Sequence, residues 1–478
     1  MRKLLPLLAA SALMAQTGAT VFVAARVADG TGRALVVESV RVVAGRIDRI
    51  GAFPPSPGDT VIHAEGLVLA PGFIDTHNHS GAALDTEPGA ESQVSQGITT
   101  ILVGQDGSSA SRRQKPAALN VMTLAGHATI RQKVMGTDYR RAASSTEIAR
   151  MCELLDAEML SGAAGLSSGL EYEVGSYSKT EELVAMANVA ARHGGIYVSH
   201  IRDEGDSVFD AIREAIAIGE LASIPVQISH IKMGTVAVWN RAGEVIRLIE
   251  DARRRGIDVT ADCYPYDAWS STIKVLVSDK KYDNRESIRK GLDDVGGAGH
   301  VTVTTCAAHR DYEFRTLAGI AKSTATSPVD VFLRIVADGG AGVVVKSMVE
   351  EDIRAFYRQP WVMVASDGGI GMRHPRGAGT YPRVLGHYVR DLNWLTLPEA
   401  IRKMTSAPAD RLKLADRGRI EIGKKADLVL FDPETVADRS TFQKPLAISV
   451  GIRKVMVNGK LVWDAGKVTG AMPGEVLR

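Results

Sequence analysis

A chain of 478 residues with 45% hydrophobic and 23% charged residues carries apolar material for one large barrel or for two to three domains, in the proportions of a globular protein. A net charge of +2 gives neither the basic footprint of a nucleic-acid binder nor an acidic tail. The three cysteines, Cys152, Cys263 and Cys306, are far apart and form no CxxC, which excludes a readable disulfide framework and a thiolate zinc knuckle.

The chain opens MRKLLPLLAASALMAQTGAT. Arg2 and Lys3 precede an apolar stretch from Leu4 to Met14 and then small residues, the pattern of a secretory signal peptide over residues 1–19 with cleavage after Ala15 or Ala19. The expectation is a periplasmic or secreted protein rather than a cytoplasmic one. The stretch is too short to span a bilayer, and no second apolar run reaches that length, so no membrane span is expected. Residues 20–66 then read as short strands (TVFVAARVAD, ALVVESVRVVAG, RIDRIGAF, VIHAEG) punctuated by Gly and Asp. Residues 410–478 repeat that texture in GRIEIG, KADLVLFD and GIRKVMVNGKLVW. Two β-rich ends that cannot each bury a sheet alone are expected to join in one small β-sandwich.

Between them, residues 67–409 alternate apolar β-type runs with helical patterns such as TEELVAMANVAARHG and DSVFDAIREAIAIGELA. Such alternation predicts an α/β fold with a parallel sheet covered by helices, either a (β/α)₈ TIM-like barrel or a doubly wound sheet. Candidate strands fall at 67–77, 99–104, 126–132, 163–169, 195–201, 225–231, 258–266 and 361–367, eight in all, the number that closes a barrel. The stretch 272–358, with VTVTT and VVVKS inside it, reads as an insertion between the seventh and eighth strands.

The strand ends carry the chemistry. The first ends in PGFIDTHNHSG, placing His77 and His79 two apart, on one face of an extended chain. Asp106 follows the second, His200 ends the fifth, His230 the sixth and Asp367 the eighth. In a parallel barrel all these ends lie at one mouth, so four histidines and two aspartates from distant parts of the chain converge there. An HxH pair joined by further His and Asp at matching strand ends is a divalent-metal donor set. His127, in GHATIR, is read as structural, since hydrolysis requires nothing of it.

These residues resemble the amidohydrolase superfamily, and more closely the N-acyl-D-amino-acid deacylase (D-aminoacylase) family. The matching motifs are GFIDTHNH, SQGITTILVG, YVSHIRDEGD, VQISHIK, DCYPYDAWSST, WVMVASDG, HPRGAGTYPRVLGHYVRD, MTSAPADRL and GRIEIGKKADLVLFD, spread over residues 60–465. The resemblance implies a (β/α)₈ barrel with a small β-sandwich made from both chain ends, an insert lying over the site, and amide hydrolysis dependent on one or two Zn²⁺ per chain. It implies that His200 and His230 hold the tightly bound zinc, that His77 and His79 can form a second site, and that Asp367 handles the proton of the attacking water. Arg376, in His374-Pro375-Arg376, matches the arginine for the substrate carboxylate, and Lys232, Tyr172, Tyr266 and Ser271 match further substrate-binding positions.

Two departures stand out. Where the family usually places a zinc-binding cysteine after strand two, this chain reads Gly104-Gln105-Asp106-Gly107, so a harder carboxylate stands in the thiolate's place, open to bridging two metals, to binding one metal less tightly or to capping the turn. The strand-four loop reads Glu171-Tyr172-Glu173-Val174, two carboxylates that would disfavour acidic side chains in a substrate. The expected partner is a small N-acyl amino acid or small peptide, and no signal sets an oligomeric state. A dipeptidase or cyclic amidase is the neighbouring enzymatic reading. Cyclic amidases usually rely on a carbamylated lysine at strand four, and here that strand ends Gly165-Leu166-Ser167-Ser168-Gly169. A non-catalytic metal binder is the third reading, and Asp367, which a binder has no need of, speaks against it.

Overall fold

The computed structural model describes residues 18–110 and 115–478. The expected signal peptide therefore lies, as far as residue 17, outside the described residues. No helix among them is long and apolar enough to cross a membrane.

The centre is a (β/α)₈ barrel. Its strands are Phe73–Asp75, Ile98–Val103, Asn120–Thr123 continued by Ala125–Gly126, Gly165–Gly169, Ile196–His200, Val226–Ile228, Val259–Cys263 and Val362–Val364. Every neighbouring pair with a ladder is parallel. The ring closes where Asn78 and Gly368 form a parallel bridge between the ends of the first and last strands. Strand residues are almost wholly buried, because helices cover the outside and side chains fill the inside. Amphipathic helices such as Thr180–Arg192 and Val208–Ala222 bury one stripe against the strands.

One expected strand is corrected. Residues 126–132 are not strand three, which lies just upstream at 120–126; His127–Met135 is a helix. Its buried residues are His127, Ile130, Arg131 and Met135, the three-and-four spacing of a helical face rather than the alternation of a strand.

The first expected run, 67–77, splits at Gly72. Phe73–Asp75 enters the barrel, whereas Val68–Pro71 joins the terminal sheet. Both chain ends build that nine-stranded sheet, in the order Lys467–Val468, Lys460–Asp464, Ile452–Val457, Leu428–Phe431, Val68–Pro71, Thr20–Val27, Val36–Val43, Arg46–Gly51. The ninth strand, Thr60–His63, pairs alongside Thr20–Val27, which also pairs with Val68–Pro71 beyond a register shift between Phe22 and Ala25. The sheet branches at that bulge, and its arms enclose a core that includes Phe22, Val40, Ile62, Leu69, Leu428 and Met456.

Between the seventh and eighth barrel strands an insert forms its own antiparallel sheet, Trp269–Thr272, Gly342–Val345 and Val301–Thr305 in that order, around a separate core with Ile288, Phe332 and Ile335. Its first strand begins ahead of residue 272. The helix Glu350–Tyr357, inside the expected 272–358, packs on the barrel instead, where Ile353, Phe356 and Tyr357 join the main core.

Candidate active site

The first and eighth strand ends are stitched together by a carboxylate. Asp75, fully buried, accepts from the Ser366 backbone N–H (2.9 Å), from the Ser366 hydroxyl and from Asn78 Nδ2 (2.8 Å). Beyond it the Asp367 N–H donates to the His77 carbonyl (2.9 Å) and the His79 N–H to the Gly368 carbonyl (2.7 Å). His77, His79 and Asp367 are thus brought to one corner by backbone and buried hydrogen bonds.

The second strand delivers Asp106 through a tight turn. Gly104 takes φ +87°, a left-handed conformation in which a Cβ would come 2.5 Å from the Leu124 carbonyl oxygen. Ser167 of strand four spans the turn, donating to the Gly104 carbonyl (2.6 Å) and accepting from the Gly107 N–H (3.2 Å). On the far side, Gly169 leaves room for the Asp106 carbonyl, which a Cβ there would meet at 2.3 Å.

Three site residues have positive φ without being glycine: Asp106 (55°), His230 (33°) and Asp367 (46°). Each such conformation costs about 1–3 kcal/mol and persists where the surroundings over-determine it. For His230 the restraint is Asp262, a buried carboxylate at the end of strand seven that accepts the His230 N–H at 2.7 Å.

Around Asp106 the donor atoms fall into two groups. His77, His79, Asp106 and Asp367 offer ligand atoms all within 4.8 Å of one another, and so do Asp106, His200 and His230. Asp106 belongs to both. Its Oδ1 lies 3.4 Å from His77 Nε2, 3.6 Å from His230 Nε2 and 4.0 Å from His200 Nδ1, while its Oδ2 lies 3.5 Å from His79 Nε2. His77 is completely buried, yet neither of its ring nitrogens, nor Asp106 Oδ1, has a hydrogen-bond partner among the described residues. Orphaned buried polar atoms are costly, and a cation among them removes that cost. Imidazole nitrogens and carboxylate oxygens at this spacing fit a divalent transition metal, and a carboxylate common to both groups fits a pair.

Burial alone would raise the Asp367 carboxyl, but the Arg376 guanidinium, with His230 and His77, outweighs it and holds that carboxyl well below the ordinary carboxylate range. Arg376 Nη1 sits 2.8 Å from Asp367 Oδ2, and Asp367 Oδ1 sits 3.2 Å from His79 Nε2. Asp106 is held low in the same way, burial being outweighed by His77 and His230.

These groups open into a cavity of about 700 Å³. Tyr172, Lys232, Ser271 and Arg376 line it, as do His79, Asp106, His200, His230 and Asp367. Arg376 is buried over the Tyr264 ring (4.7 Å), and its Nε has no hydrogen-bond partner among the described residues. Lys232 Nζ donates to Glu204 at 2.6 Å, and Tyr172 packs on the His200 ring at 4.6 Å. Trp269–Thr272, Val275 and Leu276 of the insert supply one wall.

Tyr266 is the correction among the expected substrate-binding residues. Its ring is wedged edge-on against His374 and Phe442, its hydroxyl donates to Asp438 (3.2 Å), and it does not line the cavity. The strand ends at Cys263, so both tyrosines of DCYPYD sit in the loop beyond it, and Tyr264 is the one under Arg376. His127 has a structural environment: it is buried against Glu182 (2.8 Å), which also binds Arg131. Sequence reasoning passed over Asp262, Glu204 and the bracing roles of Asp75 and Ser167. Asp262 lies inside the predicted strand 258–266, whereas Glu204 follows His200 by four residues, so position at the barrel mouth was a usable signal for Glu204 alone.

Comparison with known proteins agrees with this geometry. The signature of the Amidohydrolase family matches residues 60–463. A D-aminoacylase of Alcaligenes xylosoxydans xylosoxydans is 36% identical, covering 90% of this chain and 92% of the relative, and an N-acyl-D-glutamate deacylase of the same organism is 35% identical, covering 95% of each. The crystal structure of the N-acyl-D-glutamate deacylase from Bordetella bronchiseptica, complexed with zinc and a phosphonate inhibitor that mimics the tetrahedral intermediate, superposes with a TM-score of 0.86 at 32% identity, covering 96% of this chain and 99% of that one.

Proposed function

The chain belongs to the amidohydrolase family, and on that premise we propose that it is a zinc-dependent hydrolase that splits the amide of N-acyl-D-amino acids into a carboxylate and a D-amino acid. The observation that carries the reading is the sharing of Asp106 by two ligand groups, with the ionised Asp367 beside them. The D configuration and the N-acyl amide are supported by the relatives' activities.

His77, His79 and Asp106 would hold one ion, and Asp106, His200 and His230 the other. Bound zinc supplies a nucleophile at neutral pH by lowering the pKa of water to about 7, and it polarises the amide carbonyl. Asp367 accepts the proton of the attacking water and returns it to the nitrogen as the C–N bond breaks. Arg376 keeps Asp367 ionised, and its unpartnered Nε leaves guanidinium capacity for the substrate's α-carboxylate. Tyr172, Ser271 and Lys232 provide further donors in the wall.

The test is a hydrolysis panel of N-acetyl-D- and N-acetyl-L-amino acids alongside dipeptides, run on zinc-loaded protein. D-selective turnover is expected. Turnover of L compounds or peptides alone would move the protein to the dipeptidase branch. The proposal extends to export: Arg2, Lys3 and the apolar stretch to Met14 support a periplasmic or secreted enzyme, and N-terminal sequencing of the mature protein from the periplasm should begin near residue 16 or 20.

A further inference from the structure

Two carboxylates outside the Asp106 groups approach the histidines from behind. Glu171 Oε2 is hydrogen-bonded to His200 Nε2 at 2.9 Å, and Glu204 Oε1 lies 2.8 Å from His230 Nδ1, a nitrogen that Lys232 Nζ also reaches at 2.8 Å. The opposite ring nitrogens, His200 Nδ1 and His230 Nε2, are 3.0 Å apart and face Asp106 Oδ1. A neutral imidazole has one N–H and one lone pair, and the nitrogen bonded to a carboxylate carries the hydrogen. The lone pair of His200 is then on Nδ1, toward His230 Nε2 and Asp106.

We propose that Glu171 is a positioning residue, which fixes the tautomer and tilt of the His200 ring so that it presents Nδ1 to the metal. The inference rests on the metal reading above and adds to it which atom of His200 binds and what holds it. Glu171 is itself anchored. Lys280 Nζ reaches from the insert to donate to the Glu171 carbonyl at 3.0 Å, so the insert braces the loop that orients His200.

Direct ligation is the competing role, since ligand atoms of Glu171, His200 and Glu204 also lie within 4.8 Å of one another. The pattern of satisfied atoms decides between them. The Glu171–His200 contact is a hydrogen bond, whereas the His77 ring nitrogens and Asp106 Oδ1, on the other side of the ring, are buried without hydrogen-bond partners among the described residues. The unmet bonding capacity lies at Asp106.

Zinc titration in competition with a chelator tests this on the full chain. The wild type comes first: a chain that binds no zinc overturns the metal reading itself. Glu171→Ala is then expected to keep the wild-type number of zinc ions at saturation but to bind them about 10–100-fold more weakly. Glu171→Gln, which keeps an acceptor oxygen, should recover part of that loss, with metal-free melting temperatures close to wild type throughout. Where the alanine variant fails to fold, Met at the same position keeps the volume and removes the acceptor. Wild-type affinity in the alanine or methionine variants overturns the proposal, and so does the loss of a whole zinc equivalent, which would make the carboxylate a ligand.

Discussion

Asp367 is held by backbone on one side and by a cation on the other. Its N–H is fixed on the His77 carbonyl, and Arg376 pairs with its free oxygen. That makes it a base of fixed position whose charge is secured by a neighbour, which suits proton transfer better than a carboxylate free to rotate. Asp367→Asn keeps the shape and a ligand oxygen. It is expected to retain bound zinc while turnover falls on the order of 10²–10⁴-fold; metal analysis and steady-state kinetics on one sample check both halves. Full activity would remove Asp367 from the proton pathway. At this scale the ligand residues were legible because core packing alone gives no reason for His and Asp to recur at successive strand ends. The carboxylates behind them were not, since Glu204 and Asp262 gain their meaning only from which ring nitrogen or backbone N–H they meet. Tyr266 was misplaced for a related reason: in a loop after a strand, alternation does not say which of two tyrosines faces the cavity.

Barrel elements were legible wherever a short buried strand was followed by a helix with a one-sided apolar stripe. The third failed because GHATIRQ contains both β-branched residues and a helical spacing, and a seven-residue window holds less than two turns in which to separate them. Helix ends were clearer than strand registers. Ser145–Leu160 starts with a complete capping box, in which Ser144 Oγ accepts from the Glu147 N–H (3.3 Å) and Glu147 accepts from the Ser144 N–H (2.7 Å). Arg141, with the Ser144 backbone, holds the Glu147 carboxyl down at about 2 from an ordinary value of 4.5. A depressed acid adds stability above its unfolded pKa and loses it as pH falls through the folded one. The stabilisation from Glu147 should therefore be complete above pH 4.5 and vanish toward pH 2. Comparing melting temperatures of wild type and Glu147→Gln across that window should give a gap that is constant at neutral pH and closes on acidification. A gap independent of pH would mean that the charge of Glu147 contributes nothing.

Over the whole molecule, the site is a meeting of parts distant in sequence. The metal groups draw on strands one, two, five, six and eight, the insert adds a wall, and both chain ends fold together beside the barrel. An ion bound across so many strands stabilises the folded state over the unfolded one. At a hundredfold excess over its Kd the linkage is worth about 2.7 kcal/mol. Stripping with a chelator should lower the calorimetric melting temperature and adding zinc should restore it; an unchanged midpoint would place any bound metal outside this convergence. The overall architecture was legible because strand–helix alternation and two β-rich ends are properties of long stretches. The limits of the insert were less so, because its first strand and the helix after its last strand carry the same local patterns as the barrel beside them. What joins these parts at the centre is Asp106. The most direct test is the zinc content per chain of the wild type and of Asp106→Ala, measured after saturation and removal of free metal. A carboxylate shared by two ions predicts about two zinc ions in the wild type, falling toward one in the variant. The same content in both proteins would reduce Asp106 to a turn residue and contradict a centre built around it.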